Sequence, residues 1–573
     1  MEKNLKILKP DPNAIQELYR CLGCHPVTAA VLVNRNLVCI DDVKRFLSPS
    51  FKHLRAPDSI VDMLPAIYRI AQAIYRKEPI LVFGDYDVDG ITSTVLLYEF
   101  LKLTGAKVSY YIPHRIEEGY SLKPEQVKNI ANSSSGIRLI ITVDCGSNSH
   151  EAIQAARKAG IDVIITDHHQ VGENLPDAIA IVNPKREDCR SGLDHLAGVG
   201  VVFYLIISLR KYLREKGFWR NRSEPNLKQM CDLVALGTIA DIVPLKDENR
   251  VFVKTGLEII QSGTRLGIKS LAKASGFFKQ VLDSEDIAFR LAPRLNAAGR
   301  IEHAEWAAKL LMTDQEDRAT ELSDFLNELN IQRQEFEQNT YEDILNRIHL
   351  NPDLLCKKAL VMESSHWHEG ILGIVASRLA ERFFKPTILI TVRDGFGKGS
   401  CRSIRGFDLY PGLCQCSGLL EDFGGHSMAA GIKIKTSNID SFRESFHNIV
   451  SAYIQKENPV PELTIDCELS FDDINEHFID EIESLKPFGS ENPEPVFLAR
   501  NIAVSDPKIV GQNHRRMLLS QPGGLTQKKF NAIHFNVDSN QHLEGFLKFV
   551  AFRLKWNRWN GNKTAQIIIE EIG

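Results

Sequence analysis

Residues 80–90 read ILVFGDYDVDG: four apolar residues, a glycine, and then aspartates at every second position. Ile80–Phe83 has the wholly apolar, β-branched character of a strand covered on both faces. Runs of the same kind recur at KVSYYI (107–112), RLIITV (138–143), DVIIT (162–166) and AIAIV (178–182). Helical stretches separate several of them. Ser93 to Leu103 is one, and His150 to Ala159 is another, closed by Gly160 just past its end. Short apolar strands alternating with helices predict an α/β chain built on a parallel sheet. In such sheets ligands bind at the carboxyl ends of the strands.

Those ends carry acids and histidines. Asp85, Asp87 and Asp89 follow the first strand, and Asp144-Cys-Gly146 ends RLIITV. Asp167-His168-His169 ends DVIIT, and Asp241 ends the further apolar segment LVALGTIA. Four segments are thus expected to deliver carboxylate or imidazole to one edge of one sheet. So many like charges repel unless cations neutralise them. Oxygen donors with imidazole suit Mn²⁺ or Mg²⁺ better than a thiolate-seeking metal. A carboxylate shared by two ions roughly 3.5–4 Å apart makes a two-metal hydrolytic site. Any one of these residues alone is ordinarily a helix cap or turn residue, a role open to Asp167 and to Thr92/Ser93. DYDVDG also has the opening of an EF-hand, but the twelfth position from Asp85 is Leu96 instead of Glu, and a strand precedes it.

Outward from this region the character changes. Residues 316–350 carry Leu322, Phe325, Leu326, Leu329, Phe336, Ile344, Leu345 and Ile348 near helical spacing, which predicts one long helix. A second α/β region from about 357 to 455 has strand-like KKALVM, KPTILIT and GIKIK. It also has two glycine-rich loops, GFGKGS (395–400) and GGHSMAAG (424–431). Neither loop is a Walker A loop, because no Gly precedes GK at the required spacing. The stretch KENPVPEL marks a boundary. Short strands and turns then predict a small β-barrel. This last region is electrically split. Glu457 to Arg500 holds twelve acids and two bases, whereas Asn501 to the end holds ten bases and five acids.

The composition narrows the classes further. With 573 residues, 43% hydrophobic and 25% charged, the chain can bury several cores. A net charge of −4 excludes a protein coated in positive charge, but not one with a local basic surface. The longest apolar run, Leu196 to Leu209, is too short to cross a membrane. The N-terminus lacks an apolar signal core, and eleven cysteines do not make a disulfide framework in a chain this long. A cytoplasmic protein is expected. Cys21-Leu-Gly-Cys24-His25 has the pattern of c-type haem attachment, but that needs export, and no second Cys/His pair lies near enough for zinc. It reads as an incidental pair at a helix end, and Cys414 and Cys416 read as structural.

FGDYDVDG, TVDCG, TDHH and GTIADIVPL resemble, in order, the motifs of the DHH phosphoesterase superfamily, and GGHSMAAG resembles the signature of the DHH-associated domain. PHRIEEGY (113–120), RLNAAGR (294–300), HWHEGILGIVASRL (366–379) and LKPFGSENPEP (485–495) resemble its single-strand-specific exonuclease branch. The similarity runs from about residue 20 to the end. It implies an N-terminal helical segment (1–49), a DHH domain (50–265), a helical connector (266–352), a smaller α/β DHH-associated domain (353–455) and an OB-like barrel (456–573).

The resemblance also implies an activity: degradation of single-stranded DNA from the 5′ end to mononucleotides, in repair and recombination, with two Mn²⁺ or Mg²⁺ ions. Carried over motif by motif, Asp87, Asp89, Asp144, His168 and Asp241 become metal ligands. Asp85 joins the same shell, and His169 sits against the scissile phosphate. Arg115, Asn296 and Arg300 contact the DNA backbone. Ser403 and Arg405, with Gly424, Gly425 and His426, hold a 5′-terminal phosphate. In the barrel, His514, Arg515 and Arg516, and the cluster Arg553, Lys555, Trp556, Arg558 and Trp559, are candidates to bind the strand, although either Trp could equally anchor the core. A RecQ-type helicase and a single-strand-binding protein are the implied partners. Two other readings compete. One is a phosphodiesterase for short RNA or cyclic dinucleotides, or a pyrophosphatase, though such relatives usually lack the barrel. The other is a binding protein that has lost catalysis, against which the complete acid and histidine set stands.

Overall fold

A computed structural model of the chain describes residues 3–277, 281–457, 460–511, 513–524, 528–537, 545–559 and 562–573. It opens with a strand, β1 (Asn4–Ile7), and three helices, Pro12–Leu22, Pro26–Asn34 and Ile40–Leu47. The first sheet follows: β2 (Ile80–Phe83), β3 (Val108–Tyr111), β4 (Leu139–Val143), β5 (Asp162–Thr166) and β6 (Ala180–Val182). All pairings are parallel, in the order β3-β2-β4-β5-β6. Alternation along each strand sends Ile80, Val82, Ile141 and Ile164 into one core and Leu81, Phe83, Ile140 and Ile165 into another. Helices His150–Lys158 and Pro124–Asn132 close the second core. Helices Met63–Arg76, Val88–Thr104 and Gly198–Glu215 close the first. The parallel α/β sheet expected from the sequence is therefore present.

One strand-like expectation is corrected. LVALGTIA is the helix Cys231–Ala240, and Asp241 caps its C-terminus instead of ending a strand. The segment is apolar all round because it packs between helices Val88–Thr104, Gly198–Glu215 and Asp247–Ser262. Full burial erases the helical period that would have told it from a strand.

The helix Glu316–Leu350 has the span the sequence predicts, about 52 Å at 1.5 Å per residue. Its first half places Ala319, Leu322, Leu326 and Leu329 in the first core. Its second half places Tyr341, Ile344 and Ile348 against Leu360, Met362, Trp367, Val375 and Leu379 of the next unit. Both ends are thus packed into different bodies, which makes the helix a strut and not a tether.

The second sheet contains β7 (Leu360–Ser364), β8 (Thr387–Arg393), β9 (Phe396–Arg402), β10 (Leu420–Gly425) and β11 (Ala429–Lys435), in the order β10-β11-β9-β8-β7. Only β7–β8 is parallel. GFGKGS, expected as a loop, forms most of β9. A Cβ at Gly397 or Gly399 would lie 2.6 Å from Ile390 or Ile432, so these glycines serve close packing and not a turn. GGHSMAAG is a hairpin between β10 and β11.

The remaining strands are β12 (Glu462–Ile465), β13 (Cys467–Glu468), β14 (Phe497–Val510), β15 (His514–Ser520), β16 (Lys529–His534), β17 (Gly545–Trp559) and β18 (Asn562–Ile572). The order β14-β15-β16-β18-β17 closes through β14–β17 into a five-stranded barrel. The N-terminal segment, expected as helical, also carries β1, which pairs in parallel with β12. Leu18, Val31, Leu32 and Val43 share one core with Phe497, Phe552 and Ile567 of the barrel. Arg250 fastens the barrel to the first unit. The residue is 1% exposed, and its guanidinium lies 3.6 Å over the Phe46 ring and donates to the carbonyls of Phe46, Leu485, Lys486 and Pro487. Among the described residues no helix is long and apolar enough to cross a membrane.

Candidate active site

Chain turns at the sheet edge gather the acids. Asp85 leaves the end of β2 and is 3% exposed. Asp87 caps the next helix, its Oδ1 accepting from Gly90 N at 3.0 Å. Asp89 lies inside that helix, where its carboxylate accepts from Gly198 N at 2.6 Å and Val199 N at 2.9 Å. Those amides open the Gly198–Glu215 helix, a natural anion seat. Asp144 follows β4 with φ 61, a left-handed conformation that an Asp tolerates better than most residues. A Cβ at Gly198 would stand 2.5 Å from Asp144 Oδ1, so a glycine lets the helix start against this carboxylate.

His168, beyond β5, stands at the centre. Its Nε2 is 3.2 Å from Asp144 Oδ1, 3.5 Å from Asp241 Oδ2 and 3.7 Å from Asp89 Oδ2. Ligand atoms of Asp89, His168 and Asp241 lie within 4.8 Å of one another, as do those of Asp85, Asp87 and Asp144. The Asp144–His168 approach joins the two groups. Asp85 Oδ1, Asp144 Oδ1 and His168 Nε2 are all buried without a hydrogen-bond partner. Such orphaned oxygens and nitrogen fit hard divalent cations, one in each group.

The electrostatics agree. Burial, reinforced by neighbouring aspartates, raises Asp85, Asp144 and Asp241 well above the usual carboxylate range and pushes Asp89 up to about 7. Burial, with the charge of His169, pushes His168 down to about 3, so its imidazole is neutral and able to coordinate. His169 differs. Burial opposes its charge, but a 2.8 Å contact from Nδ1 to Asp167 raises it to about 9. Asp167, despite its own burial, is held far below the usual range by His169 and accepts from the amides of Ser147, His168 and His169.

His169 also lines a cleft of about 500 Å³ between the two α/β units, with Lys185 on its own side and Tyr410, Gly425, His426 and Ser427 opposite. Gly425 has φ 148, and a Cβ there would lie 2.4 Å from Ala429 O, so the hairpin tip requires glycine. Gly424 precedes it in β10. Arg115 stacks its guanidinium 4.8 Å from the Tyr86 ring. Arg300 donates to Gly370 O at 3.0 Å. Two expected substrate contacts are placed differently. Asn296 Oδ1 accepts from Val88 N at 3.2 Å, bracing the helix start. The Ser403 hydroxyl is buried and donates to Phe407 O at 2.7 Å, which fixes the loop that leaves Arg405 exposed.

Three family models match the chain: the DHH family N-terminal domain over residues 79–238, the DHHA1 domain over 356–452 and the RecJ OB domain over 465–571. The single-stranded-DNA-specific exonuclease RecJ of Bacillus subtilis is 35% identical over 570 residues, 99% of this chain and 70% of that protein. That of Salmonella typhimurium is 38% identical over 543 residues, 91% of each. The chain belongs to the RecJ family. The crystal structure of RecJ from Thermus thermophilus in complex with Mn²⁺ matches with a TM-score of 0.84 at 28% identity, covering all of this chain and 79% of that one. The Mg²⁺ complex matches with 0.77 at 27%, covering 99% of this chain and 78% of that one.

In the RecJ barrel of this chain the expected basic–aromatic cluster is largely neutralised. Arg553 pairs with Glu494 and Glu570, Lys555 with Glu285, and Arg558 with Glu483. Trp556 is 8% exposed and donates to Asp480 at 2.7 Å, a core anchor. Two of these partners, Glu483 and Glu494, come from the acidic stretch 457–500, a meeting in space that their separation in sequence conceals. The side chain of Trp559 lies outside the described residues. Arg515 is buried at 3% exposure, whereas Arg516 is exposed and His514 half-buried. Three further residues border His169 without having stood out in the sequence: Tyr120, whose hydroxyl lies 3.2 Å from His169 Nδ1, and Lys185 and Tyr410 in the cleft. Lys185 closely follows β6, so the strand-end rule that found the aspartates could have found it.

Proposed function

We propose that the chain is a Mn²⁺- or Mg²⁺-dependent exonuclease that removes mononucleotides from the 5′ end of single-stranded DNA, in repair and recombination. The observation that carries this reading is the double cluster of orphaned carboxylate and imidazole atoms at the mouth of a cleft between two α/β units. The relatives' shared name, single-stranded-DNA-specific exonuclease, supports the substrate.

Asp85, Asp87 and Asp144 would hold one ion, and Asp89, His168 and Asp241 the other. The bound cations supply Lewis-acid stabilisation of phosphate charge and make water a better nucleophile. His169, oriented through Nδ1 by Asp167, offers its other nitrogen to the scissile phosphate, where negative charge grows. Arg115, seated on Tyr86, binds a backbone phosphate. Arg405 and the 424–426 hairpin tip take the 5′ phosphate, and this pocket sets the polarity.

The activity belongs to five parts: 1–49, 50–265, 266–352, 353–455 and 456–573, with the first allied to the last. A RecQ-type helicase and a single-strand-binding protein provide its single strands, in the cytoplasm. The test is a 5′-labelled single strand incubated with Mn²⁺. Labelled mononucleotide is released first, chelation stops the release, and Asp144→Asn lowers it by at least about a thousandfold, on the order of 4 kcal/mol of barrier. Label released only in long fragments, or an active Asp144→Asn, overturns the reading.

A further inference from the structure

Residues 210–222 read RKYLREKGFWRNR, six bases against one acid. They finish the helix Gly198–Glu215 and form the turn that follows it. Arg210 and Arg214 share Glu224. Lys211, Lys216, Arg220 and Arg222 are exposed and, among the described residues, pair with no carboxylate. The barrel is the opposite case, since its bases are largely matched within the chain. The unmatched positive charge of the first unit therefore lies at the far end of this helix. Gly198, at its start, seats Asp89, and Arg210 follows twelve residues later, about 18 Å along the axis.

Beside the basic segment lies a cavity of about 430 Å³. Phe51, Leu54, Phe203, Ile207 and Leu227 give it apolar walls, and Arg55, Arg210 and Lys228 complete the lining. Arg55 is already paired with Asp247 and Glu248. Lys228 has no carboxylate partner among the described residues, and its ammonium stands 5.4 Å from the Phe51 ring. Arg210 donates to Pro225 O at 2.9 Å, but its buried Nε lies 3.4 Å from Glu224 without a hydrogen bond. An apolar cavity on which a few polar groups converge is the ordinary form of a binding site.

We propose that this cavity and the segment 210–222 dock an acidic segment of a partner protein, with one aromatic side chain in the cavity and carboxylates on Arg210, Lys211 and Lys228. The phenyl walls Phe51 and Phe203 suit an aromatic ring, and the unmatched cations ask for carboxylates. The bases continue from Arg210 to Lys216, about 9 Å along the helix, a span that a run of acidic residues covers and a single small carboxylate does not. A nucleic-acid strand fits less well. Its bases stack on open ring faces, whereas Tyr212 and Phe218 carry Lys216 and Arg222 on theirs, at 5.5 and 4.8 Å. A partner held here leaves the catalytic cleft open, because the cavity adjoins the end of the helix opposite Asp89.

The test is the anisotropy of a fluorescein-labelled decapeptide of aspartate and serine with one central tryptophan, titrated with the full chain in chelator. The docking site is thereby tested apart from the exonuclease activity, since binding needs no metal. The peptide binds saturably, and more weakly as salt rises. Replacing its tryptophan with alanine weakens binding about tenfold or more, the effect of keeping one large apolar side chain out of the cavity. Ile207→Gln, in the cavity wall, weakens it to a similar degree. Lys228→Glu, on an exposed side chain, weakens it about fivefold and leaves the thermal melt in place. A labelled oligothymidylate keeps its wild-type affinity for both variants. No saturable binding up to about 100 µM protein overturns the docking site, as does an alanine peptide that binds as tightly as the tryptophan one. A Lys228→Glu protein that loosens the oligothymidylate as much as the peptide also overturns it, and makes the surface a nucleic-acid track.

Discussion

At the scale of the residue, the site depends on glycine as much as on aspartate. Gly198 starts a helix against Asp144, and its amide seats Asp89. Gly198→Ala forces a methyl group into the space of Asp144 Oδ1 and displaces a carboxylate of both groups. The expected result is a rise of about tenfold or more in the Mn²⁺ needed for half-maximal activity, the usual effect of disturbing the shell behind metal ligands. A metal titration of activity, beside a thermal melt that moves little, checks it. Asp85, Asp87, Asp89, Asp144 and His168 were legible in the sequence because each lies just beyond a strand whose apolar character is unmistakable. Asp241 was legible as an acid but not as a helix cap, since its segment is buried on every side. The burial of Ser403 and the bracing role of Asn296 depend on partners one turn or two hundred residues away, which spacing does not encode.

At the scale of the element, the 113–120 turn shows how a loop is held in place. Glu118 accepts from Tyr111 and Gln126 at 2.7 Å each and from the His114 amide at 3.1 Å. Burial alone would raise its carboxyl, but these donors hold it below the ordinary 4.5. A lowered folded value contributes stability that is present above the unfolded value and lost as pH falls through the folded one. The amides of this turn are therefore better protected from hydrogen exchange in wild type than in Glu118→Gln at about pH 6, and equally protected at a pH low enough to protonate Glu118. Equal protection at both pH values would refute the assignment. The first sheet and the long helix were readable at this scale, because alternation and helical spacing are local. β9 was not. Its glycines answer to Ile390 and Ile432 on neighbouring strands, and in sequence they look like a loop.

At the scale of the whole molecule, one side chain joins two bodies. Arg250 offers its guanidinium to four carbonyls from the N-terminal segment and the 485–487 turn, with no carboxylate among its hydrogen-bond partners in the described residues. Arg250→Met leaves those carbonyls without their donor, and the expected loss is about 3 kcal/mol in urea unfolding. The barrel should detach before the first unit unfolds, so two transitions replace one. A single unshifted transition would show that the joint does not depend on this residue. The barrel itself was legible as a run of short strands, but its alliance with the first 49 residues was not. That alliance also sets an order in time. Asn4 pairs with Glu462, and a ribosome takes on the order of a minute to make the chain between them. Throughout that interval Leu18, Val31, Leu32 and Val43 have been synthesised, and the barrel strands that will cover them have not. The nuclease sheet can be complete while the beginning of the chain still waits for its end, and during that wait the nascent protein is most exposed to aggregation and most in need of a chaperone.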